Sequence, residues 1–240
     1  MIWAASDGAV TLYHDNASKL ATAATGVNIS GTVAASNGTA ALPAFTFVGD
    51  TNNGMFKAGN DEIGFSTAST ERMRINGWGN VGIGVVPEAD WEANHRAVQM
   101  GMSTSVFGRS TARQGGLLNN ARITGADYTT AKRIATGEST GYVQTSTGHD
   151  FLVAASGSAD SAISWTTAMT ITNGADVLVG KTSTDLATAG YRIDPRGFTQ
   201  NTRSAGTVAY YNRLTSDGEI INFSKDGTTV GSIKSNSGSI

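Results

Sequence analysis

Two stretches of the chain, ERMRINGWGNVGIG from Glu71 to Gly84 and TAMTITNGADVLVG from Thr167 to Gly180, align without a gap and repeat one pattern. Met73 falls on Met169, Ile75 on Ile171, Val81 on Val177, Ile83 on Val179 and Gly84 on Gly180. The Met-x-Ile limb and the Val-x-Ile/Val limb each set alternate side chains on one face, a period of two that fits a strand and not a helix. The Asn- and Gly-rich link between the limbs supplies a turn. Each stretch therefore reads as a β-hairpin with one narrow apolar face. A weaker echo follows at Arg192-Ile193-Asp194-Pro195-Arg196-Gly197, where Ile193 precedes Gly197 as Ile75 precedes Gly79.

A lone two-stranded hairpin is marginal in water, so those faces need covering, and the composition offers little to cover them with. Leu, Ile, Val and Phe make up roughly 19% of the residues, a level associated with disorder when net charge is high. The net charge here is only -2, which removes the second condition. Gly accounts for 30 of 240 residues, and charged residues for 15% against a usual share of about 25%. What remains is a chain of small residues with scattered large apolar ones, which builds a thin core by itself. Ordering each residue costs roughly 1–2 kcal/mol, to be offset by burial at about 25 cal/mol per Å². Copies arranged around a threefold axis would bury the hairpin faces against one another and stack into a shaft; a monomeric β-solenoid or sandwich carries the same patterning. Helical bundles are disfavoured because Gly, Thr, Ser and Asn recur in almost every helix-length window, and 3 Pro exclude a collagen-like rod.

Short alternating runs continue along the chain. Val10–Tyr13, Phe45–Val48 and Ile221–Phe223 are each followed by turn residues, Asp15-Asn16, Gly49-Asp50 and Lys225-Asp226-Gly227. Between the two hairpins the stretch 88–164 has a different texture, with strands expected at Ala97–Met100, Tyr142–Gln144 and Phe151–Val153, and one short helix beginning in Pro87–Glu92 on acidic first-turn residues. The expected plan is all-β: a shaft segment over 1–42, a hairpin module over 43–87, a β-rich knob over 88–164, a second hairpin module over 165–200 and a β segment over 201–240.

Several chemistries lose their requirements. No Cys is present, so there is no disulfide scaffold, thiolate metal site or Cys nucleophile. No apolar run approaches the roughly 18 residues of a membrane span, and the dispersed Lys and Arg form no basic stripe for nucleic acid. Gly77-Trp78-Gly79-Asn80-Val81-Gly82 is a literal G-x-G-x-x-G, but strand-like residues and Pro87 follow it where a dinucleotide site needs a helix. His14, His95 and His149 lie far apart without ligand spacing, though each has an acid nearby: Asp15, Glu92 and Asp150. No metal or other cofactor is expected. Glu88, Asp90 and Glu92, then Asp61-Glu62 and Asp217/Glu219, are the candidates for the carboxylate pair that polysaccharide cleavage would need; solvated loop acids are the simpler reading. Trp78, Trp91, Tyr210 and Tyr211 sit where a strand does not require them and are candidates for stacking on sugar rings.

Longer passages carry a resemblance. LYHDNASKLATAATGVNISGTVAA resembles shaft repeats of bacteriophage tail fibres and tailspikes. FTFVGDTNNGMFKAGNDEIGFSTASTERMRINGWGNVGIG is similar to a module recurrent in those fibres: Gly-Asp-Thr-Asn-x-Gly-Met-Phe/Tyr, an Asp-x-Ile/Leu-x-Phe-x-Thr run, then Met-Arg-Ile and Val-Gly-Ile-Gly. AVQMG, HDFLVAASGSADSAISWTTAMTITNGADVLVGKTS and RLTSDGEIINFSKDGTTVGSI resemble further segments in the same order, and together these passages span well over half the chain. In such fibres a stretch like DGTTVGSI often precedes a C-terminal chaperone that trimerises the chain and cleaves itself off. The resemblance implies an elongated, intertwined homotrimer on the virion tail, joined to other tail or baseplate proteins and attaching to a bacterial surface glycan or protein receptor. It transfers no catalytic residue, so an adhesin and not an enzyme is expected; a depolymerising tailspike and a purely structural fibre are the alternatives. The trimer core would hold Met73, Ile75, Val81, Ile83, Met169, Ile171, Val177 and Val179, with Trp78, Trp91, Tyr210 and Tyr211 facing a receptor.

Overall fold

The computed structural model describes residues 2–4 and 8–236; the remaining positions, at the ends of the expected 1–42 and 201–240 segments, lie outside the described residues. The fold is all-β, with no helix among the described residues. Two compact units divide the chain, Met1–Pro87 and Glu88–Ile240.

In the first unit β1 (Ile2–Ala4), β2 (Val10–His14), β3 (Ala17–Ala23) and β4 (Gly26–Ile29) form a meander. A second comprises β5 (Phe45–Phe47), β6 (Asp50–Gly59), β7 (Glu62–Thr67), β8 (Thr70–Ile75) and β9 (Val81–Ile83). The Asp15-Asn16 link closes β2 onto β3 with φ of 50° and 57°, the doubly positive turn whose twist matches that of paired strands. One face of the second meander is closed by small means. Phe56 lies over Gly64, where an added Cβ would stand 2.5 Å from the ring. Arg74, in the same row, is held by Glu62 at 2.8 Å and Glu71 at 2.7 Å.

In the second unit β10 (His95–Met100), β11 (Thr104–Arg109) and β12 (Gly115–Asn119) lead into a short pair, β13 (Arg122–Ile123) and β14 (Ala131–Lys132). The meander resumes with β15 (Gly137–Thr145) beside β12, then β16 (Gly148–Gly157), β17 (Thr166–Thr172), β18 (Val177–Val179), β19 (Gly190–Ile193) and β20 (Thr199–Thr202). A separate hairpin, β21 (Gly218–Lys225) and β22 (Thr228–Ser235), is the last element among the described residues. The β13–β14 excursion supplies Ala121, Ile123 and Ala131 to a core with Phe107, Leu118, Val143 and Leu152 from the sheet. Its backbone is held by buried polar groups. Asn120 Nδ2 donates to the carbonyls of Ala135 and Glu138 at 3.0 and 2.9 Å, and Arg133 donates to those of Gly137 and Ala162 at 3.1 and 2.8 Å.

The expected helix at Pro87–Glu92 is absent; the segment is an irregular loop. Long-range partners outweigh first-turn propensity there. Asp90 pairs with Arg122, the Trp91 ring enters the core 6.4 Å from Phe107, and the Glu92 carboxylate accepts from the Asn94 N–H at 3.0 Å. The Glu92 N–H donates to Ile123 O at 2.9 Å. Strand pairing is equally demanding at Gly116, where an added Cβ would lie 2.3 Å from Tyr142 O. Gly116→Ala is expected to cost about 3 kcal/mol in a urea melt by forcing β12 from β15.

Outside these middle portions the chain buries very little. No residue from Leu12 to Leu42, and none from Pro195 to Asn236, is buried.

Candidate interaction surface

Three hairpin turns close alike. Asn76 N–H donates to Asn80 O at 3.0 Å and Gly79 N–H to Asn76 O at 2.9 Å; Thr172 with Asp176 and Ala175, and Asp194 with Phe198 and Gly197, repeat both bonds at 2.9–3.0 Å. The fourth residue of each turn, Gly79, Ala175 or Gly197, has positive φ: 80°, 64° and 96°. That geometry favours Gly and is strained for Ala. The first residue also caps the turn with its side chain: Asn76 Oδ1 accepts from the Trp78 and Asn80 N–H groups, Thr172 Oγ1 from Asp176 and Asp194 Oδ1 from Arg196. The G-x-G-x-x-G lies in the first of these turns and runs into β9, with no helix N-terminus to meet a pyrophosphate.

The strands flanking these turns share a register. Met73 stands opposite Ile83 and Ile75 opposite Val81; Met169 stands opposite Val179 and Ile171 opposite Val177. These pairs belong to longer rows. In the second unit one row runs through Val98, Val106, Leu117, Tyr142, Phe151, Met169, Val179 and Tyr191, strand by strand from β10 to β19. Beside it run Gln144, His149, Ile171, Val177 and Ile193. In the first unit Phe45, Met55, Phe65, Met73 and Ile83 make a corresponding row, with Ile63, Ile75 and Val81 beside it. Leu178, Leu152 and Val143 alternate with the second unit's row and fill the opposite, buried face. The rows themselves stay partly open to water: Leu117 is 47% exposed, Val179 43% and Ile83 46%.

The aromatic candidates have different fates. Trp78 is 62% exposed at the tip of its turn, and Tyr210 and Tyr211 are 84% and 61% exposed on a strand-free link. Trp91 is 5% exposed, sealed into the core, and offers no ring to a ligand. Trp78 belongs to the first unit and the two tyrosines to the second. A cluster unmarked in the sequence lies on the apolar face instead. The Tyr142 hydroxyl meets His149 Nδ1 at 2.7 Å with the two rings 14° from parallel, and Phe151 lies 5.1 Å from Tyr142. Its signal was the alternation Tyr142-x-Gln144 and His149-x-Phe151 on either side of a tight link.

The acids are largely committed to partners. Asp90 and Asp160 pair with the 3%-exposed Arg122, with Glu88 at 3.8 Å; Glu62 pairs with Arg74, and Glu219 with Lys234 at 3.2 Å. Burial works to lower the Arg122 pKa, but the bonds from Asp90 and Asp160 outweigh it and raise it. His14 lies 3.4 Å from Asp15, and His95 3.0 Å from Glu92. Asp150, expected near His149, instead receives the Tyr128 hydroxyl at 2.9 Å, and burial with that bond pushes Tyr128 up to about 12. Among the described residues no group of three or more His, Cys, Asp or Glu is placed to hold a metal.

No family model, curated protein or solved structure matches this chain.

Proposed function

We propose that the chain is a segment of a bacteriophage tail fibre, assembling as an elongated, intertwined homotrimer that attaches the virion to the bacterial host surface. The observation that supports assembly is the open apolar rows, together with end segments in which no residue from Leu12 to Leu42 or from Pro195 to Asn236 is buried. A hairpin such as β21–β22, with Phe223 51% and Val230 68% exposed, is marginal alone and gains its burial from neighbouring copies. The row from Val98 to Tyr191 leaves Val106, Leu117, Phe151 and Val179 36–47% exposed, a contiguous apolar patch of a kind that is often functional. A stable interface takes about 800 Å² from each partner, and the adjoining row with Ile171, Val177 and Ile193 adds to the patch. Repeated hairpins then form the shaft and residues 88–164 the knob, with other tail or baseplate proteins adjoining.

The virion setting and the host receptor, a surface glycan or protein, follow from the resemblance of the sequence to tail fibres. Trp78, Tyr210 and Tyr211 are the exposed rings suited to such contact. Three weak sites on one rigid assembly gain from effective concentration. Sedimentation equilibrium is expected to give three times the 24.7 kDa chain mass, and the purified protein to compete with phage adsorption. A monodisperse monomer would sink the assembly, and an intact trimer that ignores host cells would leave a structural fibre. Trp78→Ala is expected to weaken cell binding about tenfold, the loss of one aromatic anchor per copy, with mass and melting temperature unchanged. Unchanged binding would place adhesion elsewhere.

A further inference from the structure

We infer that His149 makes the contact between copies sensitive to acid: a proton on its ring opens the apolar face around Tyr142 and Phe151. This rests on the assembly proposed above and adds a control to it. His149 sits within the apolar face, between Gln144 on β15 and Ile171 on β17. The groups facing it are Tyr142 and Gln144 from β15, Ile171 from β17 and Phe151 from its own strand, none of them a carboxylate. Asp150, next to it in sequence, and Asp176, next to Val177, alternate with the row and so belong to the opposite face. Asp150 is taken by Tyr128 and by the Thr170 hydroxyl at 2.8 Å, and Asp176 by Arg192 at 2.7 Å. His14 and His95 differ, because each has a carboxylate beside it, Asp15 at 3.4 Å and Glu92 at 3.0 Å.

The hydrogen bonds carry the mechanism. With its one proton on Nε2, the neutral ring accepts the Tyr142 hydroxyl at Nδ1, 2.7 Å away, while Gln144 Nε2 donates to the same hydroxyl oxygen at 3.0 Å. The Tyr142 hydroxyl and His149 Nδ1 then satisfy each other, and that pair can be covered by a second copy. A protonated Nδ1 becomes a donor and turns the Tyr142 hydrogen away from it, toward the covering copy. The imidazolium would also lie in an apolar contact with no counter-charge, a costly arrangement. Separation returns it to water. Protons are therefore taken up as the copies part, so assembly is strongest above the histidine titration range and weakens as pH falls through it.

The test measures assembly of the full chain by sedimentation at about pH 8 and about pH 5.5, values that bracket histidine titration, for the wild-type chain, His149→Gln and His14→Gln. Trimer melting is followed under the same conditions, in case dissociation is slow. The wild-type chain and His14→Gln are expected to need at least about tenfold more protein for half-assembly at the lower pH, or to melt correspondingly earlier. His149→Gln is expected to lose that dependence. A wild-type trimer equally stable at both pH values, or an acid response that survives His149→Gln, would overturn the inference while leaving the assembly intact. A monomer at both pH values would overturn the assembly and this inference with it.

Discussion

Met169→Asp is expected to leave the second unit folded and to abolish assembly. Met169 lies mid-row between Phe151 and Val179, on the face opposite Leu178 and Leu152. A carboxylate there stays hydrated in the single chain, so the strand content seen by circular dichroism should hold. Between copies it would be sealed against apolar side chains at a cost of at least about 3 kcal/mol per copy, more than a hundredfold in association for each. Sedimentation would read the loss directly. Met73→Asp makes the same test on the row of the first unit. A trimer unaffected by either substitution would mean that the copies meet elsewhere.

The second large effect concerns the excursion over the core. Arg122→Ala is expected to destabilise the second unit by about 3 kcal/mol in a urea melt, the lower end of what breaking a buried ion pair costs. Arg122 is 3% exposed and donates to Arg133 O at 2.7 Å besides pairing with Asp90 and Asp160. Its acidic partners are 45% and 75% exposed. They regain water when the arginine goes, and the main losses are its buried bond to the Arg133 carbonyl, which keeps the Asp160 N–H at 3.1 Å, and the space left behind. Arg122→Lys keeps the charge without the fork and should fall between the two. Faster hydrogen exchange in residues 88–94 and 158–163 would locate the damage.

How far the sequence discloses the fold depends on the range of the interaction. The strand at Val10–Tyr13, its Asp15-Asn16 turn and the strand at Phe151–Val153 follow from alternation and turn chemistry within a few residues. The loop at Pro87–Glu92 does not. Asp90 finds its partner 32 residues on at Arg122, and local acidic composition carries no trace of that pairing. Charge misleads in the same way: Arg122 and Arg133 look like surface residues, yet both are buried where the excursion returns to the sheet. On the candidate surface, Met169, Ile171, Val177 and Val179 form a locally readable pattern. The extension of their row through Phe151, Tyr142 and Leu117 to Val98 depends on β15 returning to β12 after the excursion, a register set by tertiary packing. Trp91 follows the same rule, since an aromatic in an acidic stretch looks exposed until the core behind it is known.

The meander also bears on how such a chain comes into being. Nearly every strand pairs with the one just before it, and the one long leap in the second unit joins β12 to β15. Pairing of sequential neighbours shortens the loops that each pairing closes, and local pairings form sooner than distant ones, so strands can zip in the order in which a ribosome releases them. The middle of each chain is then complete while its apolar rows are still bare. During that interval the rows that favour correct partners favour wrong ones equally. For the trimer proposed above, yield would thus be set by how soon three finished chains meet, and crowding them on one message would help more than any gain in the stability of a single chain.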